Sequence, residues 1–229
     1  MNKPNTTVNS DFKGTIAVLN TVYQTVPMMK NSILEYLPNA NVINFVDDSI
    51  LPMIKEDPNT MEYSYEKFLM FARIAEKQNA SIIIKACSTV GGFKDYAKGK
   101  LSIPVVRIDE EVAKVIAKNS KRIAVLATIP TTVIPSTEII RSKLGKDAVV
   151  DTFLLDNAAA FNAKGDKMSH DKTIAHKINT IGDEYDSIFL AQASMADGII
   201  YASPKYTDNV YTSIPYAIDE LVKLTLTLK

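Results

Sequence analysis

Short aliphatic and β-branched runs alternate along this chain with stretches whose apolar positions recur every three to four residues. Thr15-Ile-Ala-Val-Leu19, Val42–Val46 and Ser81–Ile84 read as buried strands, the last leading into Cys87. Between them, Val26–Leu37 reads as a helix that stops before Pro38. Glu62–Gln78 carries Tyr65, Phe68, Leu69, Ala72, Ile74 and Ala75 at helical spacing. Pro104–Arg107 adds a short strand and Glu110–Lys118 a helix. The order then begins again. Arg122–Leu126 is a strand, Pro135–Leu144 a helix, Ala148–Phe153 a strand, Lys172–Ile181 a helix and Ser187–Leu190 a strand. Strand–helix alternation of this kind predicts parallel sheets covered by helices.

The restart is visible in the residues. Ile16-Ala-Val-Leu-Asn-Thr-Val-Tyr-Gln-Thr-Val26 matches Ile123-Ala-Val-Leu-Ala-Thr-Ile-Pro-Thr-Thr-Val133 at seven of eleven positions, an offset of 107. The same ungapped offset lays Val42-Ile43 on Val149-Val150, Ile83 on Leu190, Ala86 on Ala193 and Cys87 on Ser194. The pattern predicts an internal duplication: two similar Rossmann-like parallel α/β units related by a pseudo-two-fold axis. The expected boundaries are a flexible tail at 1–11, a first unit at 12–112 and a second at 113–206. A C-terminal helix within 207–229, with Ile214, Ile218, Leu221 and Leu224 on one stripe, is expected to return to the first unit.

Ligands of open parallel sheets bind beyond the carboxyl ends of the strands. Those ends are rich in hydroxyls here: Asn20, Thr21 and Thr25 in one half, and Thr128, Thr131 and Thr132 in the other. After the third strands come Cys87-Ser88-Thr89 and Ser194. The expectation is one cleft between the units, lined by all four loops, with Cys87 and Ser194 on opposite sides of the ligand. Hydroxyls and helix N-terminal amides are donors suited to a carboxylate; each single Thr or Ser also suits an N-cap. Asp47-Asp48-Ser49 reads as a helix cap or a wall of the same site.

Cys87 is the one cysteine, which excludes an intrachain disulfide framework and a multi-cysteine zinc site. It reads either as a small buried hydrophobe or as a nucleophile or acid/base at a helix N-terminus, and its strand-end place favours the second. Lys85, two residues earlier on the same face, reads as a cation beside the thiol or as a surface lysine. His170 and His176, six apart in a polar run, read as solvated. No Gly-x-Gly-x-x-Gly, Walker A loop or His-Glu-x-x-His occurs, and Phe93 stands where a Cys-x5-Arg phosphatase loop needs arginine. No cofactor and no metal are therefore expected. Lys and Arg total 26 against 26 Asp and Glu, so no basic excess points to nucleic acid. No apolar run reaches the ~18 residues of a membrane span, and the polar start lacks a signal-peptide core. A cytoplasmic protein without a membrane partner is expected; a homo-oligomer is compatible with the sequence.

Four segments resemble the cofactor-independent aspartate/glutamate/hydantoin racemase superfamily. They are Ala86-Cys-Ser-Thr-Val-Gly91, Ile103-Pro-Val-Val-Arg-Ile-Asp-Glu110, Val125-Leu-Ala-Thr-Ile-Pro-Thr-Thr132 and Leu190-Ala-Gln-Ala-Ser-Met195. The resemblance implies two Rossmann-like domains with the active site between them. It implies two cysteines, one removing the proton α to a carboxylate and the other delivering one to the opposite face. Cys87 matches the first; the second falls on Ser194. Thr21, Ser88, Thr89, Thr128 and Thr132 match the carboxylate-binding groups. A serine hydroxyl is a weak acid and no base at neutral pH without an activating neighbour. The implied activity is a racemase or isomerase acting beside a carboxylate. A one-thiol carbon–carbon lyase, such as a malonate-type decarboxylase, is the alternative enzyme. Isomerases of unsaturated diacids are further relatives, a cysteine hydrolase lacks a helping histidine, and a small-acid binder without catalysis is the reading of another class. Two-base inversion is expected to be poor, and Ser194→Cys to raise it.

Overall fold

The computed structural model describes residues 3–228. The chain forms two compact units, one at Asp109–Ser213 and one at Pro4–Ile108 completed by the segment from Ile214 onward.

The first unit runs β1 (Thr15–Asn20), α1 (Thr25–Tyr36), β2 (Asn41–Val46), α2 (Ile50–Glu56), α3 (Met61–Lys77), β3 (Ala80–Lys85), α4 (Phe93–Tyr96) and β4 (Val105–Arg107). The strands are parallel in the order β2-β1-β3-β4. Central β1 is buried at every position after its first, so both of its faces need cover. Ile16 and Val18 pack with Met29 and Ile33 of α1 and with Ala217, Ile218, Leu221 and Val222 of the C-terminal helix. Ala17 and Leu19 pack on the other side with Ile50 and Ile54 of α2 and Phe68, Leu69 and Ala72 of α3. Asn79, with φ of 59°, supplies the left-handed residue that ends α3 and turns the chain into β3.

The second unit runs α5 (Glu110–Asn119), β5 (Arg122–Ala127), α6 (Pro130–Arg141), β6 (Val149–Leu154), α7 (Asp156–Ala163), α8 (Lys167–Ile181), β7 (Ser187–Leu190), a 3-10 stretch (Ala193–Tyr201) and β8 (Val210–Thr212). Its sheet, β6-β5-β7-β8, is again all parallel. Helix α9 (Ser213–Thr227) then completes the first unit's core. The N-terminal stretch is tied to the same unit. The Thr6 hydroxyl donates to Asp219 (3.0 Å), the Asn9 amide N–H to the Tyr36 carbonyl (2.8 Å), and Asn9 Nδ2 to Thr225 Oγ1 (2.9 Å).

Several elements differ from the pattern reading. Val210–Thr212, inside the expected terminal helix, is a strand, because its β-branched and aromatic residues meet the open edge of β7. Helix α6 starts at Pro130, where proline suits the first helical position, and carries Pro135 inside it. Short helices α2 and α7 had no pattern long enough to announce them.

The duplication is borne out with the same strand order in both units, but its register is not ungapped. Ile16 pairs with Val42 and Ile82, whereas Ile123 pairs with Val150 and Ser187. The offset is therefore 107 at the first strand, 108 at the second and 105 at the third. A slip of two residues preserves which side chains face which layer, so an aliphatic strand alone cannot reveal it.

Candidate active site

The register decides which residues are equivalent at the carboxyl ends of the sheets. The Ala86 amide N–H donates to the Leu19 carbonyl (3.0 Å), and the Ala191 N–H donates to the matching Leu126 carbonyl (2.9 Å). The next residues are Cys87 and Gln192. Both have extended backbones (φ −146°, ψ 121° and φ −122°, ψ 144°), and each sits directly before a 3-10 helix. The repeat counterpart of Cys87 is thus Gln192, and Ser194 matches Thr89. This corrects the pairing of Cys87 with Ser194, which rested on carrying the first-strand offset across a connection shorter by two residues.

In the first unit, Cys87 is half-buried and packs against the layer that contains Leu19, Phe68 and Val90. Ser88 and Thr89 follow it and are buried, as is Thr21 beyond β1. Lys85 is fully buried rather than at the surface. Its Nζ donates to the Leu19 carbonyl (3.3 Å) and lies 4.2 Å from the centre of the Phe68 ring. The two glycines after the 3-10 turn are there for close approach. A side chain on Gly91 would overlap the Arg107 guanidinium, and one on Gly92 would overlap the Tyr65 hydroxyl. Arg107, at the end of β4, is thereby seated against the turn that follows Cys87. Its presence in the segment Ile103–Glu110 was the only sequence signal for it.

Asn20 takes a scaffold role. Its Nδ2 donates to Asn44 Oδ1 (3.2 Å), and its Oδ1 accepts from the Thr25 hydroxyl (2.9 Å), tying β1 to β2 and to the start of α1. Asp47 does the same at the end of β2, accepting from Ser49 N (3.1 Å) and pairing with Lys67 (2.6 Å). Its burial raises the carboxyl pKa, but the Lys67 and Ser49 hydrogen bonds outweigh this and hold it below the usual range.

In the second unit, the Thr128 amide N–H donates to Gln192 Oε1 (2.9 Å). An amide N–H needs an acceptor, so this bond fixes which end of the Gln192 side chain is oxygen. Gln192 Nε2 is enclosed and has no hydrogen-bond partner among the described residues. Thr128 and Thr132 are buried; Thr131 and Ser194 are half-buried. Thr131 and Thr132 lie in the first turn of α6, whose N-cap, Ile129, offers no side-chain acceptor.

The histidines are a partial correction. His176 is exposed, but His170 is fully buried. Its Nδ1 lies 2.8 Å from Asp171 Oδ1, and its Nε2 is enclosed without a partner among the described residues. Lys167 bonds Asp171 (2.5 Å) and Asp197 (3.0 Å). Partial burial lowers the Lys167 pKa, but these two carboxylates outweigh it and lift the ammonium above the ordinary lysine value. An open depression of about 510 Å³, lined by Lys118, Lys121, Asp147 and Asp186 among others, lies at the amino ends of the second sheet, away from Gln192. Among the described residues no group of three His, Cys, Asp or Glu side chains converges to hold a metal ion. Among them, too, no helix is long and apolar enough to cross a membrane.

With this arrangement in view, comparison with known proteins is decisive on family. The profile of the Asp/Glu/Hydantoin racemase family matches residues 16–220. The chain belongs to that family. No curated protein matches it. Among solved structures, glutamate racemase from Francisella tularensis, determined with D-glutamate, superposes with a TM-score of 0.74 at 17% identity, covering 94% of this chain and 81% of that one. A glutamate racemase isoform from Bacillus anthracis gives 0.71 at 16% identity, covering 96% and 83%. A glycine-to-cysteine mutant of arylmalonate decarboxylase, in a sulfate-associated form, gives 0.66 at 15%, covering 92% and 93%. At these identities the likeness is one of fold. Within the racemase family's frame, this member carries a thiol at one of two equivalent strand ends and a carboxamide at the other.

Proposed function

We propose that the chain is a cofactor-independent enzyme acting at the carbon next to the carboxylate of a small amino or organic acid, with racemase- or isomerase-like chemistry and Cys87 as its acid/base. The observation that carries this reading is the seat of Cys87. The one thiol of the chain stands at a strand's carboxyl end, half-buried, followed by buried Ser88 and Thr89 in a member of the racemase family. As thiolate, Cys87 takes the α-proton; the C–H electron pair moves into the carboxylate to give an enediolate; the thiol then returns a proton to carbon. Thr21, Ser88 and Thr89, buried at the strand ends of the same unit as Cys87, supply donors for the substrate's carboxylate oxygens, whose charge grows in the transition state. The D-glutamate in the Francisella structure supports the ligand class. A cytoplasmic setting suits a free catalytic thiol.

The single thiol favours a second reading, a carbon–carbon lyase. Loss of CO₂ from a substituted malonate leaves its bonding pair in an enediolate, which needs only one proton, from Cys87. The arylmalonate decarboxylase fold is compatible with this.

The test is α-proton exchange in D₂O, followed by NMR with D- and L-aspartate and D- and L-glutamate, and CO₂ release from phenyl- and methylmalonate. Cys87→Ala is expected to lower the active reaction by about 10²–10⁴-fold, with thermal unfolding unchanged. Full activity in Cys87→Ala would sink the reading.

A further inference from the structure

We propose that helix α3 of the first unit is a docking surface for a second copy of this chain, with the two α3 helices side by side and antiparallel. This is independent of the function proposed above. The helix, Met61–Lys77, buries Phe68, Leu69, Ala72 and Ala75 against its own unit. A surface helix of this kind carries polar residues on its opposite face. Here Tyr63 (54% exposed), Met70 (56%) and Ile74 (43%) lie on that face in one row, at helical spacings of seven and four. The apolar surface does not end at the helix. Phe71, half-buried and one turn from Ile74, stacks on Phe45 of β2 with 5.5 Å between ring centres. Strand β2 is an outer strand of its sheet, and Val46 at its end is exposed. Single exposed apolar side chains are ordinary; a row of three that runs on to a sheet edge marks an interaction surface.

The charges beside the row select the occupant. Glu62 and Glu66 flank its amino-terminal half, Arg73 and Lys77 its carboxyl-terminal half, and all four are exposed. Among the described residues none of the four takes part in an ion pair. Within each pair the charges are alike and four residues apart, the spacing at which like charges on a helix repel. The helix dipole accounts for Glu62 in the first turn and Lys77 in the last. Glu66 and Arg73 lie beyond its reach, and about 10 Å of helix separates them from each other. A second copy turned end for end satisfies all four. About a two-fold axis crossing the helix between Leu69 and Met70, Glu62 meets the partner's Lys77, Glu66 meets the partner's Arg73, and the two Met70 side chains meet at the centre. One surface then serves both copies, as a two-fold interface requires. A partner of uniform charge would attract one half of the helix and repel the other. The patch is small beside a standard interface of about 800 Å² per partner, so a weak dimer, formed at roughly 10–100 µM chain, is expected.

The experiment follows the intact chain by sedimentation velocity from about 5 to about 300 µM, a range that brackets a weak interface. The wild type is expected to pass from monomer to dimer across it. Met70→Lys is expected to raise the dissociation constant by about tenfold or more, because it puts two like charges at the centre of the contact. Glu66→Arg and Arg73→Glu each turn two attractive contacts into repulsive ones and are expected to raise it by about fivefold. Combined in one chain, the two reversals oppose unlike charges again and are expected to return it to within about twofold of wild type. Each single reversal also gives α3 an opposite-charge pair four residues apart, with Glu62 or with Lys77, so the thermal midpoint of dilute monomer is expected not to fall. A weaker dimer then does not come from a weaker helix. A chain that stays monomeric throughout overturns the inference and leaves the face to a different protein. A dimer that Met70→Lys leaves intact forms elsewhere and overturns it as well. A dimer in which the double reversal is as weak as the single ones overturns it too, because the antiparallel pairing of charges is then wrong.

Discussion

The third strands of the two units have the same neighbours and the same backbone, yet they end in opposite chemistry. In the first unit the strand closes Lys85-Ala86-Cys87; in the second, at the same register, it closes Leu190-Ala191-Gln192. A buried lysine and a thiol in one unit correspond to an aliphatic residue and an amide in the other. Both sheets keep their central strands, pairings and strand order, because those depend on burial on two faces. The strand ends are free of that constraint. Duplication of the frame therefore does not carry duplication of the residues at the strand ends.

The largest effect expected from breaking this asymmetry is at its innermost pair. Leu190 is fully buried with Leu126, Ile174 and Met195. Leu190→Lys would put there the residue that the first unit carries, without the Phe68 ring. An unpaired buried charge is expected to cost about 3–5 kcal/mol, read as a lower urea midpoint. A midpoint equal to wild type would mean that the second layer is as hospitable to a cation as the first. In the other direction, Lys85→Ala removes the packing on Phe68 and the contact with Leu19, with an expected loss of about 2 kcal/mol or more by the same measurement.

How much of this was legible beforehand follows the physics of each signal. Strands β1 and β5 share Ile-Ala-Val-Leu because both are buried on two faces, so the duplication could be read directly. The slip at the third strand could not, since period-two burial is blind to a shift of two. Only Ala86 and Ala191, each before a polar residue, hinted at it. Thr21, Ser88, Thr89, Thr128 and Thr132 are all buried at strand ends or first helical turns, where the pattern put them. Asn20 was expected to bind ligand; its side chain bonds Asn44 and Thr25, partners that no spacing reveals. His170 looked solvated in a polar run. Extending the stripe Ile181, Ile178, Ile174 back by one turn lands on it, and that was the available clue.

The turns after the third strands offer a finer contrast. Gly198 lies in the second unit's 3-10 stretch, and a methyl there meets the branched Ile174 side chain and the Asp171 carbonyl, neither of which can easily move. Gly198→Ala is expected to lower stability by about 1–3 kcal/mol. At Gly91 the methyl meets the far end of the long Arg107 side chain. Gly91→Ala is expected to lose about 1 kcal/mol or less, because the guanidinium can swing aside. Thermal midpoints in the reverse order would show that Arg107 is the more rigidly held of the two neighbours.

The smallest effect concerns the amino ends of the sheets. Asp186 precedes β7 and accepts from the Lys121 N–H (2.8 Å) and the Arg122 N–H (2.9 Å); its register counterpart in the first unit is Ser81, which has no carboxylate. The Arg122 and Lys121 backbone bonds hold the Asp186 carboxyl below its ordinary value. Folding therefore favours its ionised form. That contribution is fully present above the unfolded carboxyl value, about pH 4, and is lost as pH falls through the lower folded value. Asp186 is exposed, so solvent screening limits the contribution to a few tenths of a kcal/mol. Asp186→Asn keeps one acceptor and removes the charge. Its urea midpoint is expected to fall slightly short of wild type near neutral pH, with the gap closing well below about pH 4. A gap that stays constant into acid would assign the effect to hydrogen-bond geometry rather than charge, and Asp186 would then differ from Ser81 only in reach.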